Sequence, residues 1–498
     1  MRRWPARWAP LLCCGLAACA AAGPQPGVVE LPVLAWASGD DAFRAQPPAP
    51  FPEAAFEPPA LDVTTLANGM KLIVVERHAV RLVAAELVLV GGSASLPDET
   101  PAALALMVRC TANGTKSFDE PQLFSEMNTH LIEVSPQVGD SWYGFSMRAP
   151  SVSFGRGLQI IHALALEPTF PQASFETARG QAVGHTAFDP DNVDLIARRN
   201  LYAALYGPSH PYTRALAPRK ADLARVTRED LVRIWRQTVD PSVATLVVAG
   251  DVDPREVRRL VEAEFGGWKH DPLFPPRATV PVAAPSGPRL VVVDRPGAQQ
   301  AKVLYGAVSP SVASPDHPTD LLLRALLGGM RSSALATEVR DELGAAWRAG
   351  VDFANRPNAG LDWWYGSVAP ERTAAVLATL DRRLGELRAQ GPAPNELAAA
   401  KEAVVRSFPH RYETVKELVA TVAQAEAFNL PLDNAGRVIA EVGAVSGDEV
   451  RAAVPDPAAV KAVVVGDLTV LGDSLLGLEW GPIEVRDADG RLLRTLAR

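Results

Sequence analysis

The sequence is poor in the residues that metal and thiol chemistry use, with four cysteines and eight histidines in 498 positions. The histidines are His78, His130, His162, His185, His210, His270, His317 and His410, and no two stand three, four or five apart. No local pair therefore has the spacing that puts two imidazoles on one helix face around a zinc ion. A G-x-S-x-G nucleophile elbow is absent, and so is the dinucleotide fingerprint G-x-G-x-x-G. The glycine-rich stretch LLGGMRSS lacks the lysine of a phosphate loop. No block of basic charge exists and the formal net charge is -8, which argues against nucleic acid as a partner, since that affinity comes from clustered Lys and Arg. Beyond the N-terminus no apolar run reaches the roughly 18 residues that cross a bilayer. What remains, 48% hydrophobic and 21% charged, is enough apolar material for two or more domains with full cores.

Arg2, Arg3 and Arg7 precede the apolar run WAPLLCCGLAAC, the charged and hydrophobic regions of an export signal. Leu16-Ala17-Ala18-Cys19 resembles the bacterial lipobox, so residues 1–19 are expected to be a lipoprotein signal, with Cys19 the lipidated first residue of the mature chain. Ala20 is not the aspartate associated with inner-membrane retention, which points to the cell envelope and an outer-membrane anchor facing the periplasm. The plainer alternative is a soluble secreted protein with a cysteine at that place. Cys13 and Cys14 leave with the signal, so Cys110 has no intramolecular disulfide partner and reads as a small core residue. Residues 20–60 are rich in proline and lack periodicity, which suits a tether. A second proline-rich stretch, residues 270–288, separates residues 61–269 from residues 289–498.

These two halves repeat one pattern. Thr227 and Ser446 each cap a helix, with Asp230 and Glu449 three residues on; Asp240-Pro241 and Asp456-Pro457 make turns; and apolar strands end at Gly250-Asp251 and Gly466-Asp467. Each half also begins with two strand-like runs. In the first half these read as a hairpin-forming pair, with Asn68-Gly69 as a turn signal, and PRLVVVDRPGAQQAKVLYGAVSP plays the same part in the second. Between lie helical segments such as TDLLLRALLGGM, ALATEVRDELGAAW, ERTAAVLATLDRRLGELRAQ and NELAAAKEAVVRSF. The fold class is thus α+β, an antiparallel-rich sheet packed with helices, duplicated in tandem.

VGGSASLPDE, NGTKSF, ALALEPTFP, LYGPSHPYTR and VVAGDV in the first half, then RPGAQQAKVLYG, LLGGMRSSALATEVRDELGAAW, NELAAAKEAVV and VVVGDL in the second, resemble the insulinase/pitrilysin zinc peptidases in order. The likeness includes the mitochondrial processing peptidase and runs from about Leu61 to Gly466-Asp467. Active members carry H-x-x-E-H on the first long helix, two histidines for zinc and a glutamate that activates water. Counting back from Gly114-Thr115, the resemblance places Ala105, Val108 and Arg109 where the first His, the Glu and the second His belong. The family's third ligand, a glutamate, maps between Gln181 and Val183, where nothing is acidic; Glu176 lies too early and His185 too late. Leu104, Met107 and Val108 fit a buried stripe instead, and Arg109 must reach solvent or an acid.

In the second half the family supplies an Arg and a Tyr seven residues apart that hold substrate. Here these are Arg340 and Trp347, and an indole has no phenolic hydroxyl to donate. Arg340 reads equally as a solvated arginine paired with neighbouring acids, and Trp347 as packing. The resemblance implies a zinc-free, non-catalytic member without cofactor, closing a peptide chamber with a zinc-bearing relative. The alternatives are a stand-alone binding or scaffold lipoprotein and, least favoured, a metallopeptidase with an unconventional site.

Overall fold

The computed structural model of the protein describes residues 56–96, 101–216, 218–274 and 281–497. The signal, Cys19, the tether as far as residue 55 and residues 275–280 of the linker lie outside them. Phe56, ahead of the expected start of order at Leu61, already packs on Tyr412, with ring centroids 5.2 Å apart.

Among the described residues thirteen strands form two sheets. The first has β1 (Asp62–Thr65), β2 (Lys71–Glu76), β3 (Leu82–Val90), β4 (Glu133–Val138), β5 (Trp142–Pro150) and β6 (Ala244–Gly250), in the order β1-β2-β6-β3-β5-β4. The second has β7 (Leu290–Asp294), β8 (Ala301–Ser309), β9 (Ala346–Ala354), β10 (Gly360–Val368), β11 (Lys461–Gly466), β12 (Ile483–Arg486) and β13 (Leu492–Leu496), in the order β13-β12-β7-β11-β8-β10-β9. The run β2-β6-β3-β5-β4 matches β7-β11-β8-β10-β9 strand for strand. In each, the first pair is parallel and the others are antiparallel. The duplicated ends also match: Thr227 and Ser446 form reciprocal capping boxes, and Asp240 and Asp456 accept from Ser242 N and Ala458 N at 2.9 Å.

The strand pairing at the start of each half differs from the expected hairpin. Asn68-Gly69 turns β1 into β2, with Gly69 at φ 93°, while β6 lies between β2 and β3 and β11 lies between β7 and β8. The reason is burial: all seven residues of β6 and all six of β11 are buried, so these apolar runs need neighbours on both edges and cover on both faces. The segment ALATEVRDELGAAW also departs from a continuous helix. A short helix, Ala334–Thr337, passes into a wide π-type turn at Glu338–Glu342, Gly344 adopts φ 57°, and the chain enters β9 at Ala346.

Each half lends a helix to the other's sheet. The helix Val193–Tyr206, from the first half, lays Ile196, Ala197, Leu201 and Tyr202 against Val291, Val293, Leu304, Trp363 and Val463 of the second sheet. In return the helix Val415–Ala427 covers Ile73, Val75, Ala84, Val88, Val247 and Ala249 with Leu418, Val419, Val422 and Ala423. The two sheets therefore belong to one compact unit.

Beneath the Val415–Ala427 helix β3 buries an acid. Glu86 is 5% exposed between Ser146 and Val247 on the adjacent strands, and burial pushes its carboxyl up to about 7 from 4.5. The native state thus keeps a proton that the unfolded chain releases, so stability falls as pH rises from about 4.5 through 7. Glu86→Gln removes this dependence, and relative to the wild type it is expected to gain about 3 kcal/mol between pH 4.5 and pH 8. Urea unfolding at the two pH values measures it, and parallel profiles for both proteins would rule it out.

Candidate functional site: a zinc helix without its ligands

The helix Pro101–Cys110 sits in the first core. Leu104, Met107 and Val108 are buried as their spacing requires, Ala105 is half-buried and Arg109 is exposed at the last turn. Its neighbour is the helix Gln172–His185, and the Gly114-Thr115 turn fixes how the two meet. Gly114 O accepts from Thr169 N and Thr169 Oγ1, both at 3.0 Å, and Thr115 N and Oγ1 donate to Phe118 O. Gly114 has φ 156°, and a Cβ there would come within 3.1 Å of both Pro171 Cγ and Thr169 Oγ1, just before the second helix begins. Arg228 adds hydrogen bonds to the carbonyls of Thr169 and Phe170.

This arrangement brings two of the expected ligand positions together. Arg109, at the place of the second His, donates from Nη2 to Gln181 Oε1 at 3.0 Å, and Gln181 opens the interval in which the third ligand maps. An arginine thus meets an amide where an imidazole and a carboxylate would share a metal. Glu176 is exposed and pairs with Arg179 and Gln172, and His185 is exposed at the end of its helix. Among the described residues no group of three or more His, Cys, Asp or Glu side chains is arranged to hold a metal ion. The donor set at the old site, Ala105, Val108, Arg109 and Gln181, offers no imidazole or carboxylate, so it does not fit zinc. At the end of the first helix a cleft of ≈ 430 Å³ lies between the helices Glu120–Thr129 and Gln172–His185, lined by Arg109, Asn113, Glu120, Phe124, Thr177 and Gln181 among others. Cys110, next in sequence, is fully buried, and desolvation pushes its thiol up to about 11, which keeps it a packing residue.

In the second half, Arg340 lies in the turn Glu338–Glu342 and forks onto Asp341, at 2.7 and 2.8 Å. Trp347 stands in β9 rather than in a helix. The β9 register shifts there, between the pairings of Gly366 with Ala349 and of Val368 with Ala346, which is a bulge in the strand.

The groups most strongly held lie elsewhere, at the junction of the halves. Arg356, between β9 and β10, is 3% exposed; its Nε and Nη2 bond Asp140, and its Nη1 donates to the Tyr206 hydroxyl at 2.9 Å. Its guanidinium carbon stands 4.1, 5.1 and 5.3 Å from the ring centroids of Tyr212, Tyr202 and Tyr206. Two of these rings belong to LYGPSHPYTR. That motif carries no catalytic signature in the sequence, and the aromatic spacing of Tyr206, His210 and Tyr212 is the signal of this cluster, whose rings pack against one another.

Residues 225–404 match the family described as the peptidase M16 inactive domain. The chain is an insulinase-family, peptidase-like protein. Its relatives include an uncharacterized zinc protease of Streptomyces coelicolor, 24% identical over 79% of this chain and 86% of that one. An uncharacterized zinc protease of Mycobacterium leprae is 29% identical over 43% of this chain and 47% of its own length. Among solved structures, a peptidase M16 inactive domain from Pseudomonas fluorescens superposes with a TM-score of 0.74 at 18% identity, covering 82% of this chain and 98% of that one. A protease from Helicobacter pylori gives 0.73 at 17% identity, covering 82% and 99%. The likeness to these solved structures is one of fold, the α+β architecture of two sheets packed with helices.

Proposed function

We propose that this insulinase-family protein is the zinc-free member of an unequal pair, binding peptide and closing a chamber whose chemistry a zinc-bearing relative supplies. One observation carries the reading: the cleft beside the former zinc helix is kept open while Arg109 and Gln181 occupy the ligand positions. Metal-assisted hydrolysis needs a Lewis acid and a base, and Val108 stands at the place of the base. The Leu16 to Cys19 lipobox supports a lipid anchor at the outer membrane, facing the periplasm. A structural neighbour at 18% identity, PqqL of Escherichia coli, is described as a periplasmic protease. Among the described residues no helix is long and apolar enough to cross a membrane.

Two measurements test the reading. A pull-down from detergent-solubilised membranes is expected to recover a related chain carrying H-x-x-E-H, and its consistent absence under gentle conditions sinks the pairing. Purified alone, the protein is expected to hold no stoichiometric zinc and to cleave no peptide. One tightly bound zinc per chain with chelator-sensitive cleavage would overturn the zinc-free assignment. The pairing of Arg340 with Asp341 favours a second reading, a stand-alone binding lipoprotein, which predicts peptide binding without a partner chain.

A further inference from the structure

In the second half a pocket of ≈ 70 Å³ lies where the start of the helix His317–Arg324, the loop after β9, the turn Pro409–Tyr412, the helix Val415–Ala427 and the start of the helix Asn434–Ala444 converge. No carboxylate lines it. Two helix N-termini do, and each is a positive end of a backbone dipole. Asp316 and Asp433, the residues before these helices, cap neither with a side chain and lie outside the lining, and the amides of Ala435 and Gly436 make no hydrogen bond to the described residues. His317, at the first of these ends, is 8% exposed, and its Nδ1 is sealed in without a hydrogen-bond partner, so the ring meets the pocket by its other edge. Burial, with the charges of Arg324 and Arg411, pushes the imidazole down to about 4 and keeps it neutral at pH 7. Asp320 stands 3.9 Å from it, outside the lining, and is taken up by Arg324 at 2.6 Å. Arg411 is exposed at the pocket's edge, its guanidinium carbon 4.9 Å from the Phe408 ring centroid, and among the described residues it makes no ion pair. The ionisable groups that face it are Tyr412 and Arg324, neither of them a carboxylate, and Glu413 pairs with His410 instead. Asn355 accepts from Arg324 through Oδ1 at 2.9 Å, which leaves its NH2 group as a donor on the pocket wall.

Donors without acceptors, two positive helix ends and one uncompensated guanidinium call for an acceptor that carries a single negative charge. We propose that this pocket binds a small aliphatic carboxylate, its oxygens on Arg411 and Asn355 beside the start of the helix Asn434–Ala444 and its carbon chain against Val422, Phe428 and Leu430. A carboxylate matches the guanidinium fork, and an anion at a helix N-terminus is stabilised by the dipole. At about 10–15 Å³ for each water-sized group the space holds roughly five of them, the size of propionate or butyrate. Phosphate carries more than one charge at pH 7 and has no apolar part for the wall of Val422, Phe428 and Leu430. The site is separate from the peptide-binding reading above. Asn355 precedes Arg356, and the Val415–Ala427 helix covers the first sheet, so an occupant bears on both contacts that join the halves and stabilises the folded body.

The test titrates the full chain with sodium butyrate, with butyramide as its uncharged counterpart and with inorganic phosphate, read by isothermal titration calorimetry and by the Tm. Butyrate is expected to bind about tenfold tighter than either of the others, as a hydrogen bond to a charged group implies, and to raise the Tm. Arg411→Gln is expected to weaken butyrate about tenfold and to leave butyramide unchanged; the residue is exposed, so the variant folds. Ala425→Leu, which fills the pocket from its wall with Arg411 in place, is expected to exclude butyrate. Equal binding of butyrate and butyramide, tighter binding of phosphate, or a butyrate affinity that Arg411→Gln leaves untouched overturns the proposal. So does butyrate that gives neither binding heat nor a rise in Tm.

Discussion

Arg356→Ala should cost about 3–5 kcal/mol of stability, the range for breaking a buried ion pair from one side. The residue is 3% exposed, and its guanidinium is held between three tyrosine rings and the Asp140 carboxylate. Asp140 and the tyrosines belong to the first half and Arg356 to the second, so this contact joins them. Removing the arginine leaves Asp140 without its charge partner, Tyr206 without one hydrogen bond and a void among the rings. Arg356→Ala with Asp140→Ala should cost less than the sum of the two single changes, because the stranded carboxylate goes too. Denaturant unfolding of the four proteins measures the coupling. A single-variant loss under about 1 kcal/mol would mean that the cage merely fills space.

Separation of the halves should have a still larger effect. Cut from the rest, residues 56–274 would expose the sheet face of Ile73, Val75, Ala84, Val88, Val247 and Ala249, together with the apolar stripe of Val193–Tyr206. At the low end of about 1.5 kcal/mol for each fully buried Val, Leu or Ile, the exchanged faces contribute on the order of 10 kcal/mol. That is comparable with the whole stability of a domain. Expressed alone, either half is expected to aggregate or to lack a cooperative unfolding transition, whereas co-expression should return a soluble two-chain complex. A monomeric first half with its own sharp transition would disprove mutual dependence.

The exchange also shows where sequence reading stops. The duplication was legible because its signals are local: caps at Thr227 and Ser446, Asp-Pro turns, and strands ending in Gly-Asp. The zinc helix was legible through Gly114-Thr115 and through what Ala105, Val108 and Arg109 are not. Apolar periodicity, however, says that Val193–Tyr206 and Val415–Ala427 need cover and carries no address, and both address sheets in the opposite half. The same limit hid β6 and β11, whose place between β2 and β3, or β7 and β8, depends on partners far along the chain. The short apolar segment ending at Trp347 fits a helical or a strand period alike, and Gly344 marks the break at which the chain enters β9. The Arg109 and Gln181 contact was half visible, since both positions were singled out as ligand sites, but their meeting requires the two helices in place.

The turn at Gly114 and Thr115 bears on how such a chain could lose its chemistry. Its hydrogen bonds to Thr169 and Phe118 set the two helices by backbone and hydroxyl groups, and none of them involves a metal-binding position. An ancestor that lost its zinc would have kept the same helix spacing. The two helices are thus held at their distance independently of the side chains at Arg109 and Gln181, and exchanging those side chains is a change of lining that leaves the walls of the cleft in place.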